Sequence, residues 1–230
     1  MKKFFAKLIR FWSEDRSLTI MFLLLLFFIF VFSPLENETE KEHILLKIFY
    51  SSLLLTGMLS VARQKKYRII VIILAAISLL LNWISIFTPS RTMLLANDFA
   101  LVLFNLSFAV AILIKTFQPG DITYQRIEGS IIVFLLLGFV FALLFHAMHV
   151  YSGASSFNNI SGTGLKEFLY YSFTTLTTVG YGDITPVHPL ARSLANFEAL
   201  IGQLYPAILI ARLVSMEFES SKKKKEEKVI

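Results

Sequence analysis

Apolar residues recur in six long runs, at Leu18–Phe32, Ile44–Ala62, Ile69–Phe87, Met93–Ile114, Ile131–Tyr151 and Leu194–Met216, with charges gathered between them. Crossing a hydrocarbon core of about 30 Å takes roughly 20 helical residues, and five of the runs come near that length; Leu18–Phe32 is the shortest. A further segment, Leu165–Thr177, reads as a helix with aromatic bulk at Tyr170, Tyr171 and Phe173 and a polar end at Thr174, Thr175 and Thr177. It is too short to cross, so it is predicted to enter the membrane and turn back. The pattern predicts an all-α membrane protein: four helices, a turn-rich joint around Pro119-Gly120-Asp121, then two helices flanking the re-entrant one.

Composition agrees, since 56% hydrophobic residues and a mean hydropathy of +0.67 leave too little polar surface for a soluble domain. Charge sets the orientation. With six spans and the N-terminus inside, the cytoplasmic segments hold 17 of the 22 lysines and arginines, and the first outer loop is acidic at Glu36, Glu38, Glu40 and Glu42. Both termini are therefore expected in the cytoplasm, with the chain in the plasma (cell inner) membrane. Residues 1–17 read as an amphipathic segment on the membrane surface or as a basic anchor, and not as a cleaved signal. Cysteine is absent, which excludes disulfides. The triplets at Asn37 and Asn159 match glycosylation acceptors, a motif common by chance.

The loop after the short helix runs Thr177-Thr178-Val179-Gly180-Tyr181-Gly182-Asp183. Ordinary strand geometry would send successive carbonyls to opposite sides. Gly180 and Gly182 can take positive φ at little cost and so turn the carbonyls of Thr178, Val179, Gly180 and Tyr181 toward one axis. Rings of neutral oxygen of this kind replace the hydration shell of a monovalent cation. A Walker-type phosphate loop would require Gly-Lys-Ser/Thr here, whereas Gly182 is followed by Asp183-Ile184-Thr185-Pro186.

These residues resemble the pore loop of the tetrameric potassium channel family, over roughly Glu128–Glu217. The resemblance implies potassium coordination at Thr178, Val179, Gly180 and Tyr181, with Gly182, Asp183, Tyr170 and Tyr171 supporting the filter. Tyr170 and Tyr171 stand where the family often has tryptophan, and pairing of Tyr170 with Asp183, or of Tyr171 with the Tyr181 hydroxyl, is implied. One loop per chain implies four chains per pore, hence a homotetramer. No cofactor is expected beyond the permeant potassium ions.

The six-helix layout resembles that of voltage-gated channels, yet the fourth run has no arginine or lysine between Arg91 and Lys115. Each charge crossing the field contributes about 2.3 kcal/mol per 100 mV, so little voltage dependence is expected. Asp98, inside that run, is expected to snorkel or pair locally, and His146, His149 and His188 are candidate pH reporters. In the last run Ala199, Gln203, Pro206, Ile210 and Val214 share a helical stripe that would face either the ion path or lipid, and Gly202 with Pro206 marks an expected gating hinge. Glu198 calls for a partner on the short helix or a neighbouring chain, or a role with ions.

The resulting division is residues 1–17 as the surface segment, 18–127 as a four-helix sensor-like domain without gating charges, 128–217 as the pore domain and 218–230 as a basic cytoplasmic tail. Lys222, Lys223, Lys224 and Lys225 in that tail suit anionic lipid. Room for a further cytoplasmic domain is not expected, and nothing points to a nucleic-acid partner or an enzyme. The expected function is a potassium-selective channel with largely voltage-independent gating; the alternative is a non-conducting or regulatory subunit of a heteromeric channel.

Overall fold

A backbone without water must satisfy its own hydrogen bonds, and a helix does this within one segment. Helices accordingly occupy every apolar run. The computed structural model describes residues 16–33, 40–61, 68–88, 90–118, 123–152, 156–160 and 164–226. The expected surface segment at 1–15, the joint at 119–121 and the first glycosylation triplet lie outside them. Helix α1 (Arg16–Phe27) continues as a π-helical stretch, Phe28–Phe32; α2 is Glu40–Val61, α3 Arg68–Phe87, α4 Arg91–Thr116 and α5 Tyr124–Ser152. Strand β1 (Phe157–Asn158), the short helix α6 (Leu165–Leu176), strand β2 (Thr185–Pro186) and the long helix α7 (Pro189–Glu226) complete the order.

Three helices among the described residues are long and apolar enough to cross a membrane: Arg91–Thr116, Tyr124–Ser152 and Pro189–Phe218. Leu18–Phe32 and Ile69–Ser85 are shorter apolar helices. The described residues thus form a mainly helical membrane protein with one minimal antiparallel pairing of β1 with β2. Helix α7 does not stop where its apolar run ends, and its backbone stays helical through the lysines to Glu226.

Helix α5 is the hub, apolar around most of its circumference because neighbours cover most of it, with Ile127 and Ile131 left exposed. On one flank it packs against α4, where Phe104, Phe108, Ala111 and Ile112 are buried. On another, Phe139 stacks on Tyr50 of α2 at 5.4 Å and meets Phe28 of α1 edge-on at 5.8 Å. Polar ties join the same elements: the Thr19 hydroxyl donates to Glu128 at 3.0 Å, and Asp98 of α4 lies 2.6 Å from His146 of α5. Asp98 therefore pairs locally and does not snorkel. Arg91 at the start of α4 donates to the Tyr151 carbonyl at the end of α5.

The short helix α6 docks into a notch on α5. A Cβ at Gly138 would come within 2.8 Å of the Phe173 ring, so glycine is what lets that ring sit down. Gly138→Ala is expected to destabilise the fold by about 1–3 kcal/mol through overpacking. Gly164→Ala, where a new Cβ meets only Lys166 at 3.9 Å, is the near-neutral control. Thermal unfolding in detergent would distinguish them, and equal midpoints would remove the notch.

Candidate pore loop and its supports

At 12 residues, α6 is about 18 Å long and ends with carbonyls that no further helical turn can satisfy. The loop that follows turns its N–H groups back onto them. Thr177 donates to the Phe173 carbonyl at 3.0 Å, Thr178 to Thr175 at 2.9 Å, and Val179 and Gly180 both to Thr174, at 2.9 and 3.1 Å. The peptide bonds are all trans, so each carbonyl opposes the N–H of its own peptide unit. The carbonyls of Thr177, Thr178 and Val179 consequently point away from α6.

The backbone makes this turn by visiting positive φ at every second residue: Thr178 (61°), Gly180 (56°) and Gly182 (79°), with Val179 and Tyr181 outside that region. Space around both glycines is open, since a Cβ at either would meet nothing within 4 Å. Their requirement is conformational. Thr178 was not foreseen in this conformation, and for a β-branched residue it is strained.

Supports close on the loop from three directions. Tyr170 donates to Asp183 Oδ2 at 2.7 Å, and its ring lies parallel to that of Tyr181 with centroids 6.4 Å apart. Tyr171 points the other way, into an aromatic cluster with Phe145 at 4.9 Å and Phe157 at 5.3 Å, and its hydroxyl pairs with Thr175. Within one chain, Tyr171 is thus engaged by the core and not by Tyr181. From beside the β1–β2 pairing, Asn159 Nδ2 donates to the Asp183 carbonyl at 2.8 Å, while the N–H groups of Val187 and His188 donate to the Ser156 carbonyl. Asn159 had stood out only as a glycosylation triplet; the pairing of Phe157 with Pro186 and Asn158 with Thr185 brings it to the loop.

Helix α7 supplies the third direction. A Cβ on Gly202 would collide with the Leu176 carbonyl, the last of α6. One turn earlier Glu198 is wholly buried, with Oε1 2.5 Å from the Ser172 hydroxyl. Tyr205 donates to the Ser130 carbonyl of α5 at 2.8 Å. Gln203 and Ile210 lie exposed on another face, and Pro206 sits inside a helix that continues unbroken. Gly202 is therefore demanded by contact, whether or not the helix bends there.

The family model described as "Ion channel" matches residues 129–219, which take in α6, the loop and nearly all of α5. That segment is an ion-channel domain. The chain is 48% identical over 50 residues to Protein LctB of Geobacillus stearothermophilus, an overlap of 22% of this chain and 37% of that protein. It is 37% identical over 86 residues to Two pore potassium channel c of Oryza sativa subsp. japonica, covering 35% and 19% of the two chains. With Potassium voltage-gated channel protein shk-1 of Caenorhabditis elegans it shares 30% identity over 93 residues, 40% and 17%. The chain spans little more than a third of the first relative and under a fifth of the other two. No solved structure matches it.

Two expectations follow from the supports. The Tyr170 hydroxyl holds the Asp183 carboxyl below its ordinary value of 3.8. A depressed value means that the pairing is intact at neutral pH and is lost only as pH falls through the lowered value. Tyr170→Phe should move the Asp183 carboxyl titration, followed by ¹³C NMR, back up toward 3.8, and an unmoved midpoint would show the contact to be incidental. Gly202→Ala should cost more than about 3 kcal/mol, because the obstructing atom is backbone and cannot rotate aside. Pro206→Ala, which restores an N–H toward the Gly202 carbonyl, should leave the thermal midpoint near that of the parent chain.

Proposed function

We propose that this chain is a potassium-selective channel of the potassium channel family, assembling as a homotetramer around the 177–182 loop. The observation that carries the reading is the course of that loop: N–H groups turned back to α6, positive φ at alternate residues, and carbonyls facing away. Four such loops present rings of neutral oxygen, with Thr178, Val179, Gly180 and Tyr181 as the potassium ligands. Gly182, Asp183, Tyr170 and Tyr171 hold the rings in place, and Asn159 joins them. The exposure of Val179 and Tyr181 in the single chain, and of Phe197, Leu200, Leu204 and Ile208 along α7, fits surfaces that neighbouring copies and lipid cover.

In this reading α1 to α4 and the two pore-module helices α5 and α7 make six spans, with both termini in the cytoplasm of a plasma (cell inner) membrane. Helix α6 aims the negative end of its dipole at the inner cavity, which favours a cation there. The stripe of Gln203, Pro206 and Ile210 borders the ion path below it. Bending belongs near Pro206, where the helix lacks one hydrogen bond, more than at Gly202, which is seated against Leu176. Anionic lipid meets the lysines at 222–225. Because α4 carries no basic residue between Arg91 and Lys115, opening depends little on voltage.

The test is the current through purified full chain in liposomes under opposed potassium and sodium gradients, scanned over voltage. A reversal near the potassium equilibrium potential with a shallow open-probability curve is the expected result. Sodium permeability would remove the filter assignment, and a steep voltage dependence would remove the account of α4. Absence of flux from this chain alone, with flux restored by a second pore-forming chain, would favour a regulatory subunit.

A further inference from the structure

Two acceptors compete for one hydrogen at Ser172. Its Oγ lies 2.7 Å from the Gly138 carbonyl oxygen on α5 and 2.5 Å from Glu198 Oε1 on α7. A hydroxyl has a single proton to donate. With Glu198 ionised, one of the two contacts would press two acceptors together with no hydrogen between them. A neutral carboxyl resolves both, because its O–H donates to Ser172 Oγ while the Ser172 O–H donates to Gly138.

Burial leads to the same protonation state. Glu198 is wholly enclosed, and its Oε2 has no hydrogen-bond partner. The carboxyl is sealed inside the chain, where a neighbouring copy cannot reach it, so a charge there would lie buried with no counterion among the described residues. Among the described residues Tyr171 of α6, a neutral phenol, is an ionisable neighbour, and α5 presents the Gly138 carbonyl.

We propose that Glu198 is a neutral, proton-donating positioning residue that clamps α7 to α6 through Ser172 and so sets whether the pore loop keeps its conducting shape. This rests on the channel reading above. The path is short: Ser172 is two residues from Thr174, whose carbonyl holds both the Val179 and the Gly180 N–H groups. Gly202 against Leu176, one turn further along α7, makes a second point of the same clamp. Movement of α7 therefore reaches the loop directly.

The experiment compares Glu198→Gln, Glu198→Leu, Ser172→Ala and the double variant Ser172→Ala/Glu198→Leu in liposomes, with potassium over sodium permeability as one readout and the infrared spectrum as the other. Glutamine, whose amide N–H donates to Ser172 as the carboxyl does, should keep the parent permeability ratio. Leucine should lower it about tenfold, the scale of one buried hydrogen bond, and the double variant should recover part because both polar partners are gone. The parent protein should show a protonated-carboxyl C=O stretch at neutral pH that vanishes in Glu198→Gln and shifts in Ser172→Ala. A glutamine variant as impaired as the leucine variant, or no such band, overturns the proposal. The band needs no current, so a chain that fails to pass potassium would sink the channel reading while the spectrum still decides for or against Glu198.

Discussion

A helix that stops after 12 residues leaves its last carbonyls without a next turn, and this constraint organises the residues packed around it. The terminal carbonyls of α6 belong to Phe173, Thr174, Thr175 and Leu176. Loop N–H groups take the first three, and the fourth abuts the Cα of Gly202. Satisfying those carbonyls and aiming the next ones outward are the same act, because each N–H that turns back sends the carbonyl of its peptide unit the opposite way. The loop's geometry is thus a consequence of capping a short helix from within its own chain.

Such a loop is strained and has few contacts of its own, so stiffness must come from outside it. The chain supplies it by polar contacts at the exposed end of the loop, where Tyr170 and Asn159 meet Asp183. Apolar packing acts behind the short helix, where Phe145, Phe157, Phe168 and Tyr171 interlock. Close backbone approach serves at the end of α6, where Gly202 meets Leu176. Each suits its place: charge-assisted hydrogen bonds where the carboxylate is exposed, rings where only shape can discriminate, and glycine where two backbones must touch.

Much of this was legible in the sequence, for reasons that differ by element. Apolar runs announce helices because lipid leaves no alternative, and the Thr178–Asp183 loop announces itself because two glycines flank a tyrosine at the spacing an alternating φ requires. Length was less informative. Leu18–Phe32 and Ile69–Ser85 are short for spans, and α7 runs beyond its apolar stretch because lysine and glutamate are good helix formers in their own right. Contacts between elements were legible only in part: the pairing of Tyr170 with Asp183 and a partner for Glu198 on the short helix were expected, and others were not. Asn159 reaches the loop only through a two-residue strand pairing, Asp98 finds His146 only once α4 lies along α5, and the need for glycine at 202 is steric where its place beside Pro206 suggests a hinge. Nothing local in the sequence encodes such distances.

The docking of α1, α2 and α4 on α5 of the same chain bears on how an assembly is made. Phe28, Tyr50 and Phe139 meet, and Asp98 reaches His146, without help from a second copy. A single chain can therefore complete its scaffold and seat its short helix on its own. In the homotetramer proposed above, what is left for the encounter between copies is the exposed flank of α7 and the loop itself, so that biogenesis would separate into folding first and closure of the ring second.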